Sequence, residues 1–233
     1  MMIGILEADV LDDEVIRYYG SYTDRFEALL STAEPQLVFQ TYSVTQQHYP
    51  ENINACDAYL ITGSKFSCYE DIDWIQRLEQ FVVDCVALEK KLIGICFGHQ
   101  LIAQALGGRV QKHSAGWGVG LTSSEVTHTP PWLTPEQKQF SLLVNHQDQV
   151  TRLPKQASLI ATNEFCPVAA YQVDGSIISF QGHPEFNREY LQYLANKNRQ
   201  NIGEQVYQQA IQSLQQNLDH DLVAKWIVNF IRD

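Results

Sequence analysis

The chain has 233 residues and a formal net charge of −11, with 45% hydrophobic and 18% charged residues. That composition excludes a disordered chain, and an acidic balance without any basic cluster argues against nucleic acid or an anionic membrane as the main partner. No apolar run approaches a membrane span, no basic leader precedes Ile3, and five scattered cysteines make no disulfide framework, so a reducing cytoplasm is expected.

Ile3 to Leu6 reads as a first buried strand, followed by an acidic stretch from Glu7 to Glu14. Apolar residues at 15, 16, 19, 26, 29 and 30 form a helical face that Gly20-Ser21 interrupts. Leu37 to Tyr42 and Ala58 to Ile61 predict two further strands, the second running into Thr62-Gly63-Ser64. Trp74 to Leu88 has strong amphipathic spacing and predicts a helix. Strands alternating with helices imply right-handed βαβ units and a parallel sheet covered on both faces.

Beyond Gly108 short β-like runs crowd together, at 119–126, 140–144, 158–162, 168–173 and 176–180. Val173-Asp-Gly-Ser176 is a tight-turn signal, so the last two runs predict a hairpin. From Arg188 onward the pattern is helical, with one apolar face on Val206, Ala210, Ile211, Leu214 and Leu218 and another on Leu222 to Ile231. Asp219 or Asp221 is the expected cap of the last helix. The expected organisation is one α/β domain over residues 1–195 with a C-terminal helical extension over 196–233 packed on it.

The stretch from Lys91 to Gly108 carries the chemistry. Leu92 to Ile95 suits a strand buried on both faces, and Leu101, Ile102, Ala105 and Leu106 lie at helical spacing ahead of Gly107-Gly108. Cys96 sits between strand and helix, with Gly94 two residues before it and Gly98 two after. This is a nucleophile elbow with cysteine in place of serine. The turn is so sharp that residues two away on either side crowd each other and must be small. The following helix aims its free N–H groups and positive dipole end at the sulfur, and the Phe97 N–H can stabilise a developing oxyanion. The elbow alone leaves a second reading open, a buried cysteine in a glycine-flanked turn.

A partner base decides between them. Ser176 to Gln181 is a strand running into Gly182-His183-Pro184-Glu185. A histidine just past a strand end, where sites of open α/β sheets gather, can reach the elbow. His183 would shuttle the proton between thiol and leaving group, while Glu185 fixes its tautomer and orientation.

Gly94-Ile-Cys96-Phe-Gly98-His-Gln100 together with Gly182-His183-Pro184-Glu185 resembles the class I, triad-type glutamine amidotransferase family, over roughly residues 3–190. The resemblance implies a flavodoxin-like α/β fold: a mixed, mostly parallel sheet with helices on both faces, plus the C-terminal helical extension. It implies hydrolysis of the γ-amide of glutamine through a γ-glutamyl thioester, releasing glutamate and ammonia, with Cys96, His183 and Glu185 as the catalytic residues. It further implies that Gln100 contacts bound substrate, that Gly63 donates a second oxyanion N–H, and that the backbone around His146 and Gln147 binds the α-amino end. No cofactor is implied. The seven histidines show no ligand pairing that would hold a metal.

Three functions remain open at this level. One is a glutaminase subunit feeding ammonia to a separate synthetase, because some forty tail residues hold no phosphate-binding loop. The second is a self-contained hydrolase of γ-glutamyl peptides, whose known members share the Cys-Phe-Gly-His-Gln elbow. The third is a non-catalytic module that binds a γ-glutamyl metabolite or a protein partner. The C-terminal helices are candidates for docking on the core or for a homodimer contact.

Overall fold

The computed structural model describes residues 1–233. Strands β1 (Met2–Glu7), β2 (Val38–Ser43), β3 (Ala58–Ile61) and β4 (Lys91–Ile95) pair in parallel in the order β2-β1-β3-β4. Strand β11 (Ile177–Phe180) adds to β4, also parallel, with Ser179 opposite Gly94 and Phe180 opposite Ile95. The sheet then continues with strands of alternating direction, each antiparallel to its neighbour: β10 (Ala170–Val173), β9 (Ala157–Thr162), β6 (Gly118–Val126) and β7 (Gln139–His146). Nine strands thus form one mixed sheet, its parallel half ordered as in flavodoxin. The hairpin expected at 173–176 joins β10 to β11 in antiparallel register.

Two strands were not foreseen. β5 (Arg109–Lys112) and β8 (Asp148–Arg152) form a separate antiparallel pair. Each is short and polar with a single buried valine, Val110 or Val150, so neither carries an alternating signal.

Side-chain alternation splits the core between the two faces of the sheet. Ile3, Ile5, Leu60, Ile93 and Ile95 face helix α2 (Tyr22–Ala33) and helix α7 (His220–Arg232), which brings in the fully buried Trp226. Leu6, Tyr59, Ile61 and Leu92 face α3 (Asp73–Ala87) and α4 (Phe97–Ala105). Burial of each such side chain contributes about 1.5–3 kcal/mol.

The break at Gly20-Ser21 is real. Helix α1 (Asp13–Tyr19) stops at Gly20, whose φ is 77°, and α2 restarts behind a capping box between Ser21 and Asp24. The tail shows a second break of the same kind. Gly203, with φ 83°, separates α5 (Arg188–Ile202) from α6 (Glu204–Ser213), so position 196 lies inside a helix. The expected cap of α7 is corrected. Asp219 occupies the N-cap position, but its carboxylate accepts from the Ser141 N–H at 2.8 Å and ties the helix to β7 instead. No helix is long and apolar enough to cross a membrane.

Candidate active site

Three neighbouring parallel strands, β3, β4 and β11, deliver the site from their C-terminal ends. The loops that follow them begin with Thr62-Gly63, with Cys96 and with Gln181-Gly182-His183. Sheet adjacency therefore closes the sequence gap between Cys96 and His183. The Cys96 N–H donates to Phe180 O at 2.9 Å, and the His183 N–H to Leu143 O at 2.8 Å.

Cys96 adopts φ 52° and ψ −100°, a sparsely populated conformation for a non-glycine residue that costs about 1–3 kcal/mol. Both flanking glycines are required by close approach. A Cβ on Gly94 would lie 2.8 Å from the Gly98 backbone, and one on Gly98 would lie 2.5 Å from Ile61 O. Phe97 opens α4 with its ring packed against Trp74 at 5.6 Å, leaving its N–H at the helix start beside the sulfur.

His183 is almost wholly buried, and its Nδ1 lies 2.8 Å from Glu185 Oε1. Burial opposes a charged ring, but Glu185 and Cys96 more than offset it and raise His183 to about 10. The ring stacks on Phe186, with centroids 3.8 Å apart and planes 12° apart. Gly63 leaves room on another side, because a Cβ there would stand 2.8 Å from His183 Cε1. No protein acceptor meets the Gly63 N–H.

Gln100 has a role that the motif alone did not disclose. Its amide donates to Asp148 O at 2.8 Å and to Gln181 Oε1 at 3.2 Å, and Gln181 in turn donates to Cys96 Sγ at 3.6 Å. This relay fixes the elbow to β8 while Gln100 still lines the cleft. His146 is buried, its Nδ1 lies 3.0 Å from Asp148 O, and burial lowers it to about 4. Gln147 lines the cleft, and its carbonyl accepts from the His113 N–H at 2.8 Å. The His99 Nδ1 lies 2.9 Å from the Ser179 hydroxyl, and burial lowers it to about 3.

Cys96, His183, Gln100, His146 and Gln147 thus border one cleft of about 480 Å³. Sequence reasoning missed several of its groups. Asp148 is 9% exposed and faces the cleft, and its carboxylate receives a single donor, the Tyr69 hydroxyl at 3.0 Å. Gln181 and Phe186 flank the His-Pro-Glu motif and were within its signal. The far wall is α5, through Tyr190, Tyr193, Leu194, Lys197 and Asn201, whose helical spacing reads equally well as a core face. No group of three or more His, Cys, Asp or Glu side chains is arranged to hold a metal ion.

Comparison with known proteins matches residues 15–199 to the family model described as Glutamine amidotransferase class-I. A glutamine amidotransferase-like protein of Schizosaccharomyces pombe is 31% identical over 243 residues, spanning 98% of this chain and 98% of that protein. Gamma-glutamyl peptidase 4 of Arabidopsis thaliana is 32% identical over 182 residues, covering 74% of this chain and 71% of the peptidase. In fold, the crystal structure of a glutamine amidotransferase from Thermotoga maritima gives a TM-score of 0.74 at 16% identity, over 99% of this chain and 96% of that one.

Proposed function

We propose, for a chain that belongs to the class I glutamine amidotransferase family, that it hydrolyses the γ-glutamyl C–N bond through a thioester on Cys96. The observation that carries this reading is the strained cysteine at the start of α4, sharing one cleft with a buried His183–Glu185 pair.

Cys96 Sγ attacks the γ-carbonyl carbon, and the oxyanion is met by the N–H groups of Phe97 and Gly63. His183 passes its proton to the departing nitrogen as the C–N bond breaks. Water then attacks the thioester, giving up a proton to His183, and glutamate leaves as the thiol is restored. Glu185 holds the ring in one orientation throughout. Asp148 is the natural acceptor for the α-ammonium group, because a nearly buried carboxylate facing an open cleft gains most from a cation.

Glutamine is the smallest substrate that fits this scheme, and as an amidotransferase the protein would pass its ammonia to a separate synthetase. A second reading, hydrolysis of γ-glutamyl peptides, draws on the size of the cleft. At about 480 Å³ it lies in the range that holds drug-sized ligands and extends along α5 beyond the nucleophile. Free glutamate released from glutamine and from γ-glutamyl dipeptides at equal concentration separates the two, with Cys96→Ala as the blank. Faster turnover of the dipeptides selects the peptidase reading, and release from glutamine alone selects the amidotransferase reading. Release that persists in Cys96→Ala contradicts both.

A further inference from the structure

Behind the His183–Glu185 pair lies a charge that the reaction scheme does not use. Arg25, on the first turn of α2, is 8% exposed. Its Nε donates to Ser21 O at 3.1 Å, and its two terminal nitrogens are buried without a hydrogen-bond partner. Instead the guanidinium lies in an aromatic cage, 4.1 Å from the Tyr190 ring, 4.8 Å from Tyr22 and 5.7 Å from Phe186. Phe186 is the ring on which His183 stacks, and it meets Tyr190 edge-on at 4.8 Å.

Glu185 mirrors this on the other side. Its Oε1 is engaged by His183, while Oε2 is buried without a partner. Burial raises both Tyr22 and Tyr190, and each phenol also feels the opposing pull of Arg25 and push of Glu185 and Asp9. The two hydroxyls therefore lie within electrostatic reach of guanidinium and carboxylate alike.

Keeping a cation in such a place is costly unless it compensates a buried anion. We infer that Arg25 is a positioning residue for the Cys96–His183–Glu185 array, compensating the Glu185 carboxylate through the aromatic cage and bracing Phe186 against the His183 ring. The need is sharpest once His183 has released its proton to the leaving group. Glu185 is then a buried carboxylate beside a neutral imidazole, and Arg25 is the cation that remains. Without it His183 would hold its proton more tightly, and the leaving nitrogen would be protonated more slowly.

This inference rests on the proposed thioester chemistry, but its test has an arm that needs no substrate. The groups facing His183 are Cys96, Glu185 and His146, those facing Arg25 are Tyr22 and Tyr190, and Glu185 and Asp9 act on the same two phenols, Asp9 being paired with Lys65. Removing a cation from this set disfavours the thiolate and favours the imidazolium, so both limbs of a pH profile move the same way. Arg25→Met and Arg25→Lys would be compared with the unmodified protein for Cys96 alkylation by iodoacetamide across pH, and for kcat and KM of glutamate release. In Arg25→Met the limbs are expected to move up by roughly one pH unit, and kcat to fall about tenfold, with KM little changed. Arg25→Lys is expected to bring the limbs most of the way back to those of the unmodified protein, keeping the charge while losing the planar stacking.

Limbs that stay in place in a folded Arg25→Met protein would overturn the inference and leave Arg25 a packing residue. Should Arg25→Met not fold, Arg25→Gln removes the same charge with a smaller change of polarity, and limbs that stay in place there together with a normal kcat would overturn it equally. A limb shift with no glutamate release from the unmodified protein would support the inference and sink the hydrolase reading instead.

Discussion

At Cys96 the chain accepts a backbone conformation that few side chains tolerate, and the surrounding glycines make it reachable. Gly98→Ala would drive a methyl group to within 2.5 Å of Ile61 O, a backbone atom held in the sheet. Overpacking of this kind costs about 1–3 kcal/mol. The predicted outcome is a lower thermal midpoint together with a glutamate release at least about tenfold slower, read by calorimetry and a coupled assay. A neutral Gly98→Ala would show that the elbow is not strained as described. The residues of the elbow and of Gly182-His183-Pro184-Glu185 were legible in the sequence because each motif is local and its steric demands are severe. Arg25 and the Asp148 carboxylate were not, because nothing local marks them, and Gln181 adjoins the second motif without its contacts to Gln100 and Cys96 being readable. Their significance comes from burial and from partners distant in sequence.

The histidines set a pH dependence that is also a residue-scale matter. His99 and His146 are lowered by burial to about 3 and about 4, below the 6.5 of an unperturbed histidine. The unfolded chain takes up protons there first, so stability falls as pH drops from about 6.5 toward those values. His183 stands at about 10, because Glu185 and Cys96 outweigh the burial that opposes its charge. Its contribution is full below about 6.5 and is lost as pH rises through about 10. A stability maximum near neutral pH is expected from chemical denaturation across pH, and Glu185→Gln should flatten the alkaline fall. An alkaline limb that survives unchanged in Glu185→Gln would contradict the assignment.

At the scale of elements, apolar period and glycine position carried most of the information. Strand β3 lies at the residues expected, and α3 and β4 within a residue or so of theirs, because each is long or strongly patterned for its class. The break at Gly20 was readable from a glycine inside a helical face, whereas the equivalent break at Gly203 was hidden by the surrounding Gln- and Asn-rich run. Helix α7 was visible as a helix, with docking on the core or a homodimer contact left open by its apolar face. It contributes Trp226, fully buried, with its indole N–H donating to Pro135 O at 3.1 Å. Trp226→Ala should therefore cost about 3–5 kcal/mol, as large-to-small changes in cores do. A loss under about 1 kcal/mol in urea unfolding would mean that α7 is an appendage. Deletion of α7 would be expected to yield insoluble protein for the same reason.

For the whole molecule, the decisive fact is strand order. The sequence shows a cysteine after one strand and a histidine after another, but not that β11 inserts beside β4. A hairpin that folds back with β10 and then pairs in parallel with β4 is a long-range choice, made by burial of both faces of the sheet rather than by any local signal. The same choice places β3 on the other flank of β4, and so brings Gly63 to the His183 ring. Helix α5 then closes the cleft from the far side, and on the proposed reading its residues would set how much of a substrate beyond the γ-glutamyl group is held.

The most direct test of this account is the mass of the intact protein, quenched in acid during turnover of a γ-glutamyl dipeptide. A γ-glutamyl adduct that maps to Cys96 is expected, absent in Cys96→Ala and accumulating in a His183 variant acylated with an activated γ-glutamyl ester. An unmodified mass under conditions where glutamate is being released, or an adduct on any other residue, would contradict it.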